Sequence, residues 1–197
     1  MDLVIASSNA GKLVELRELL ADSGFALRTQ SEFGVVDAEE TGSTFVENAL
    51  LKARHAARAT GLPALGDDSG LCVDALGGAP GLYSARYAGV HGNAQANIDK
   101  LLGALQDVPP PRRTAHFHAV IAVLRHADDP QPIIVEGSWH GLILGKQRGE
   151  GGFGYDPVFF DPAHDATAAE LDPALKHRIS HRGRALAALK PRLAELL

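Results

Sequence analysis

Leu3 to Ala6 is a short unbroken apolar run closed by the polar Ser7-Ser8-Asn9, the pattern of a buried strand. From Lys12 the spacing turns helical: Leu13, Leu16 and Leu20 share a face, and Gly24 ends it. A second helix is marked by a capping box, Thr44 with Glu47. Phe45, Ala49, Ala53 and Ala56 share its inner face, and Gly61 and Pro63 stop it. A short strand is predicted at Ala64 and Leu65, then a polar turn at Asp67-Asp68-Ser69-Gly70, then another strand at Leu71 to Val73.

Gly77-Gly78-Ala79-Pro80-Gly81 reads as a loop. Asn93 caps a predicted helix carrying Ile98, Leu101, Leu102 and Leu105, which Pro109-Pro110-Pro111 ends. Thr114 to Leu124 is a long strand. Asp128-Asp129-Pro130 turns the chain into a second strand at Ile133 to Glu136, and Leu142 to Leu144 forms a third. A glycine-rich stretch, Gly149 to Gly154, leads to Val158-Phe159-Phe160. The last third is predicted helical. Thr167 and Glu170 form a further capping box, and Leu186, Leu189, Leu193 and Leu196 line one face, with Pro191 set to break the helix. The sum is an α/β protein: strand–helix alternation, an antiparallel ribbon, then helices. No linker interrupts it, so any two lobes share one sheet.

Composition narrows the class. The 197 residues suit a single domain over 1–197, with room for two lobes. A chain of this size buries about 70% of its unfolded surface and needs no covalent staple. With 45% hydrophobic and 22% charged residues it is an ordinary globular protein. The net charge of −5 argues against broad nucleic-acid or membrane binding, while leaving space for a local basic pocket. A lone cysteine, Cys72, excludes an internal disulfide and a multi-cysteine zinc site, and its apolar neighbours point to packing. The longest strictly apolar run, Ala119 to Leu124, is too short to span a bilayer, and no signal peptide opens the chain. The expectation is a soluble cytoplasmic protein.

Several segments carry candidate chemistry. Ser7-Ser8-Asn9-Ala10-Gly11-Lys12 joins the first strand to the first helix, where free backbone N–H groups and the positive dipole end favour anions. It is neither a Walker loop nor a dinucleotide fingerprint; the plainer alternative is a capped helix with a solvated lysine. Glu39-Glu40 and Asp67-Asp68 are hard oxygen donors of the kind Mg²⁺ prefers, or simply solvated loop acids. In Gly151-Gly152-Phe153-Gly154-Tyr155-Asp156-Pro157, glycines flank a ring on which a flat base could stack, or which belongs to the core. Lys176-His177-Arg178-Ile179-Ser180-His181-Arg182-Gly183 is a basic cluster able to read carbonyl edges or phosphates, or else a solvated helix face. His116 and His118 share a strand face, but without a third ligand the polar-face reading is preferred over zinc.

Taken in order over essentially the whole chain, these segments resemble the inosine triphosphate/xanthosine triphosphate pyrophosphatases. The resemblance is carried by Ser7 to Lys12, Glu39-Glu40-Thr41-Gly42, Phe45-Val46-Glu47-Asn48-Ala49 with Lys52-Ala53, and Asp67-Asp68-Ser69-Gly70-Leu71. It continues through Gly77 to Gly81 with Tyr83-Ser84-Ala85-Arg86-Tyr87, Gly151 to Pro157, Thr167 to Leu171 and Ser180 to Gly183. It implies an α/β fold with a long central mixed sheet flanked by helices, two lobes with a substrate cleft between them, and a homodimer. It also implies Mg²⁺-dependent hydrolysis between the α and β phosphates of ITP, dITP or XTP. Carried over by position, Ser7, Ser8, Asn9, Ala10, Gly11 and Lys12 would bind the triphosphate. Glu40 and Asp68 would hold the metal, with Asp68 also the base, and Ser69 would touch the substrate. Phe153, Gly154, Tyr155, Asp156, Lys176, His181 and Arg182 would form the nucleoside site. One departure is Ser7-Ser8-Asn9, where the family often has Thr-Gly-Asn, so that Ser8 lacks glycine's freedom at positive φ. Two other classes remain distinguishable by product: a phosphomonoesterase using Asp67 or Asp68 as nucleophile, and a nucleotide-binding module that releases nothing.

Overall fold

The apolar run at the start of the chain is strand β1 (Asp2–Ala6), in a computed structural model that describes residues 1–196. Helix α1 spans Ala10–Leu19, starting two residues before Lys12 because Asn9 caps it. Strand β2 (Ala26–Thr29) and helix α2 (Phe45–Thr60) follow. The Thr44–Glu47 capping box opens α2 and a left-handed Gly61 closes it, as predicted. Strand β3 (Ala64–Val73), helix α3 (Ala94–Ala104) under an Asn93 cap, and strands β4 (Thr114–Leu124) and β5 (Ile133–Ile143) come next. The chain continues with β6 (Phe159–Asp161), β7 (Ala166–Thr167), α4 (Pro173–Ile179) and α5 (His181–Leu189). The seven strands form one sheet in the order β2-β1-β3-β4-β5-β6-β7. It is mixed: β1 runs parallel to β2 and β3, while β6 runs antiparallel to β5 and β7. Among the described residues no helix is long and apolar enough to cross a membrane.

Four sequence expectations need correction. Asp67 to Gly70 is no turn; it lies inside the ten-residue β3. Acids in mid-strand mimic a turn signal, and their charge is met by partners distant in sequence. The two short strands at 133–136 and 142–144 are one eleven-residue strand, β5. Gly141, inside β5, is a close approach: a Cβ there would lie 2.4 Å from the Phe160 carbonyl oxygen of the neighbouring strand. Thr167 and Glu170 do not open a helix. Glu170 accepts from the Thr167 N–H at 2.8 Å within a turn, and α4 starts later, behind an Asp172 cap. The first helix begins at Ala10 instead of Lys12.

The chain divides into two compact units. Unit 1 comprises residues 1–68, 119–137 and 182–197, and unit 2 comprises 69–118 and 138–181. In unit 1 the apolar runs are continuous because both sheet faces are covered. Leu3, Ile5, Leu65, Ile121 and Val123 pack with Leu16 and Leu20 near α1 and with Leu186 and Leu189 of α5. On the other side Val4, Ala6 and Ala64 meet Ala56 and Ala57 of α2, and Val120 and Ala122 meet its Ala49. Pro191 acts as expected: α5 stops at Leu189 and a 3₁₀ stretch, Lys190–Leu196, carries Leu193 and Leu196 into the same core. In unit 2, Leu71, Ile98 and Leu101 pack with an aromatic group in which Phe117 and Trp139 lie 4.6 and 5.0 Å from the Phe159 ring.

The small face of α2 brings helix and sheet backbones together. A Cβ on Gly66 of β3 would lie 2.2 Å from the Ala49 carbonyl oxygen and 2.8 Å from the Ala53 nitrogen. Gly66→Ala is therefore expected to destabilise the protein by about 1–3 kcal/mol, a fall of roughly 2–12 °C in Tm. Gly103→Ala, in α3 with open space at its Cβ position, should leave Tm unchanged or raise it slightly. Equal melting of the Gly66 variant and the parent would refute the close approach.

Candidate active site

The pleat of β3 separates its two adjacent acids. Successive strand side chains point to opposite faces. Asp67 follows Leu65 to the side of α1 and α5, and Asp68 follows Ala64 and Gly66 to the side of α2. The two carboxylates of unit 1 thus enter different networks.

Asp67 is 1% exposed. Lys12 Nζ lies 2.7 Å from its Oδ1, and Arg182 donates to it from Nε at 2.9 Å and from Nη2 at 3.3 Å. Arg182, equally buried, also donates through Nη1 to Glu15 of α1. Burial alone would push the Asp67 carboxyl up; Arg182 and Lys12 outweigh it and hold the group far below the usual carboxylate range. Burial pulls the Lys12 ammonium down, with Asp67 offsetting only part. For Arg182 burial is outweighed by Asp67 and Glu15, so its pKa is raised.

On the α2 side, Lys52 Nζ lies 2.7 Å from Asp68 Oδ1 and 2.5 Å from Glu40 Oε1, and also donates to the Asp67 carbonyl at 3.2 Å. Asn48, one turn earlier on α2, donates to Asp68 Oδ2 at 3.3 Å and accepts from the Gly42 N–H at 2.8 Å. The acidic loop closes onto the helix because residue 42 is glycine: a Cβ there would meet Asn48 Oδ1 at 2.6 Å. Glu40 is half-buried, while Glu39 is exposed. Burial raises the Asp68 carboxyl, and Lys52 and Lys12 oppose this without cancelling it. Lys52 is the reverse case: burial lowers it, but Asp68 and Glu40 prevail and raise its pKa.

Asn9, at the mouth of α1, accepts from the Lys12 N–H at 3.0 Å, and Ser7 Oγ accepts from the Asn9 N–H at 3.2 Å. Ala10 and Gly11 form the first turn, whose N–H groups face outward from the helix end. The Ser8 hydroxyl donates to Asp37. Ser8 needs no glycine-like freedom, since Asp165 is the one non-glycine residue with positive φ among those described.

The remaining site residues lie in unit 2. Asp156 Oδ2 accepts from the Phe153 N–H at 2.8 Å and from Lys176 Nζ at 2.7 Å. The same ammonium stands 5.1 Å from the centre of the Phe153 ring, which is 38% exposed. Gly152 takes a φ of 72°, and a Cβ on it would lie 2.0 Å from Asp156 Oδ2, so the turn requires glycine. Gly154 is also left-handed. Tyr155 is core: its ring is buried and its hydroxyl donates to the Ser84 carbonyl at 2.8 Å, while burial raises its pKa. His181 is buried and stacks on Phe117 at 4.9 Å. Ser69 is half-buried in β3.

The structure therefore gathers Lys12 and Arg182 in one network, Glu40 and Asp68 in a second, and Phe153, Asp156 and Lys176 in a third. Arg182, which sequence position groups with Lys176 and His181, packs in unit 1 on Asp67 and Glu15. Sequence reasoning missed Glu15, Asn48, Lys52 and the separate part played by Asp67. Asn48 and Lys52 had one signal, polar residues four apart on an otherwise alanine-lined helix face. Cys72 has its thiol pKa raised by burial, in keeping with a packing role. His118 hydrogen-bonds Ser138 Oγ at 2.9 Å, and no cluster of three or more His, Cys, Asp or Glu disposed around a metal position occurs among the described residues.

Comparison with known proteins adds a lineage. The profile of the Ham1 family matches residues 3–192. A dITP/XTP pyrophosphatase of Xanthomonas campestris pv. campestris is 63% identical over 194 residues, 98% of each chain. That of Yersinia pseudotuberculosis is 58% identical over 184 residues, 93% of each. The structure of a HAM1 protein from Coxiella burnetii superposes with a TM-score of 0.92 at 53% identity, covering 99% of both chains. A nucleoside-triphosphatase / dITP/XTP pyrophosphatase from Mycobacterium abscessus gives 0.76 at 45% identity, over 98% of this chain and 100% of that one.

Removing one partner from a buried pair strands the other charge, a loss of about 3–5 kcal/mol. Arg182→Met should therefore lower Tm by roughly 6–20 °C. The depressed Asp67 carboxyl contributes stability that is fully present above its unfolded pKa of about 3.9 and fades as pH falls towards the folded value. The Tm gap between the parent and Asp67→Asn is accordingly expected to narrow below about pH 4. A gap that widens in acid would contradict the buried ion pair.

Proposed function

The chain belongs to the Ham1 family, and on that premise we propose that it hydrolyses deaminated purine nucleoside triphosphates (ITP, dITP and XTP) to the nucleoside monophosphate and pyrophosphate. The observation in the structure that best supports this chemistry is a pair of carboxylates from distant segments, Glu40 and Asp68, both in contact with the Lys52 ammonium. Hard oxygen donors already gathered on a positive charge fit Mg²⁺, which typically takes one or two carboxylates and leaves other positions for water and phosphate. Bound there, Mg²⁺ would offset the charge of the triphosphate and polarise a phosphoryl oxygen.

The chain's own residues divide the rest of the work. Ser7, Ser8 and Asn9 offer hydroxyl and amide groups, and Ala10 and Gly11 the open N–H groups of a helix start, to the phosphates. Lys12 adds a charge from within the Asp67 network. Asp68, with its carboxyl raised by burial, is suited to take a proton from the attacking water. Ser69, next along β3, contacts the substrate. On the nucleoside side Phe153 offers an exposed ring face, and Lys176, held by Asp156, offers a donor to a 6-keto oxygen. Adenine presents a 6-amino donor there instead, leaving the lysine unmatched, and sites built on such bonds reject mismatches by roughly 10⁴–10⁵. Gly154 shapes this turn, Tyr155 anchors it, and His181 and Arg182 fix the start of α5. A homodimer in the cytoplasm completes the reading.

The direct test incubates the protein with ITP, XTP, ATP and GTP plus Mg²⁺ and separates pyrophosphate from orthophosphate. Pyrophosphate from ITP and XTP is expected, and Asp68→Asn should lower kcat by about 10²–10⁴. Orthophosphate would point to a phosphomonoesterase, and binding without turnover to a nucleotide-binding module. Phe153→Ala is expected to raise KM for ITP more than it lowers kcat, and an unchanged KM would remove the ring from the nucleoside site.

A further inference from the structure

Lys52 has a place in the site that neither its sequence position nor catalysis alone accounts for. Its Nζ touches one oxygen of each carboxylate assigned above to the metal, at 2.5 Å from Glu40 Oε1 and 2.7 Å from Asp68 Oδ1. The side chain is nearly sheathed, 14% exposed, and the ammonium also bonds the Asp67 carbonyl at 3.2 Å. A divalent ion bound by those same oxygens would sit about 2.0–2.1 Å from each. An ammonium in contact with both acids competes with it: two cations would draw on the same pair of carboxylates and repel across a few ångströms. The flexible four-carbon stem of lysine lets its head group leave while α2 stays in place. The backbone at that level cannot give way, because α2 rests directly on Gly66.

We propose that in the nucleotide-free protein the Lys52 ammonium occupies the cation position between Glu40 and Asp68, so that the metal binds in full only as the triphosphate draws Lys52 away. Lys52 is then an internal counter-ion exchanged for Mg²⁺. The polyanion supplies the new partner that its head group needs on leaving. A ligand that binds only the fraction of molecules in which the site is open has its apparent affinity reduced by that fraction. By reciprocity, nucleotide and metal strengthen each other's binding by the same factor. The device offsets one of the two negative charges at rest and discourages stray divalent ions when no substrate is present.

The inference rests on Glu40 and Asp68 being the metal ligands, and the experiment separates the two ideas. Mn²⁺ is titrated, without nucleotide, into the parent, Lys52→Met, Lys52→Gln and Lys52→Arg proteins, with free Mn²⁺ followed by its electron paramagnetic resonance signal and folding checked by thermal melting. The neutral variants should bind Mn²⁺ about tenfold or more tightly than the parent, whereas Lys52→Arg, which keeps the charge, should bind as weakly as the parent. Adding Asp68→Asn to the Lys52→Met protein should abolish the gain. Neutral variants no tighter than the parent, with binding still lost on Asp68→Asn, would overturn the counter-ion role and leave the ligand assignment standing. A gain that survives Asp68→Asn would overturn both. Two neutral variants of different polarity keep the test decisive if one of them fails to fold.

Discussion

A carboxylate placed in the middle of a buried strand is the constraint on which unit 1 is organised. Asp67 cannot be sheltered in a core without partners, since desolvating an isolated charge is far too costly. Its partners are drawn from both ends of the sequence: Lys12 from the first helix, Arg182 from the start of the fifth, with Glu15 balancing the arginine. This closed set pins α1 and α5 to β3 at one level. The first turn of α1 is thereby held at a defined height along the strand. Asp68 is left on the opposite face, where charge is met by Lys52 and Asn48. One pleat therefore sends two adjacent acids into separate networks.

The fold was legible wherever local periodicity and burial agreed. β1, β4, α2 and α3 appear as the apolar spacing indicated, and their caps are Thr44 and Asn93. It was not legible where long-range partners override a local signal. Asp67-Asp68-Ser69-Gly70 has the composition of a turn, yet two basic side chains far along the chain make it strand. The strands expected at 133–136 and 142–144 are joined as β5, in which Gly141 admits the backbone of β6. Thr167 and Glu170 do form half of a capping interaction, on a turn that leads into no helix.

The site divides in the same way. The family resemblance singled out Glu40, Asp68, Lys12, Phe153, Asp156 and Lys176; residue types alone left a solvated or core reading open for each segment. What one sequence could not give was pairing. Nothing local tells that Lys52 lies on Glu40 and Asp68, that Glu15 bonds Arg182, or that Arg182 belongs with Asp67 although it follows His181 directly. Those contacts span between 12 and 167 residues of chain. They exist only once the sheet has been assembled.

The alanine row of α2 against Gly66 has a further consequence for how variation in this protein should be read. The gap between helix and sheet there is set by main-chain contact, with no side chain thick enough to act as a cushion. Asn48 and Lys52 ride on the same helix, so its standoff from the sheet is a ruler that sets how far their tips extend. Enlarging a small core residue such as Ala49 or Ala53 would lengthen that ruler and draw Asn48 and Lys52 away from Asp68, at the same time as it costs stability by overpacking.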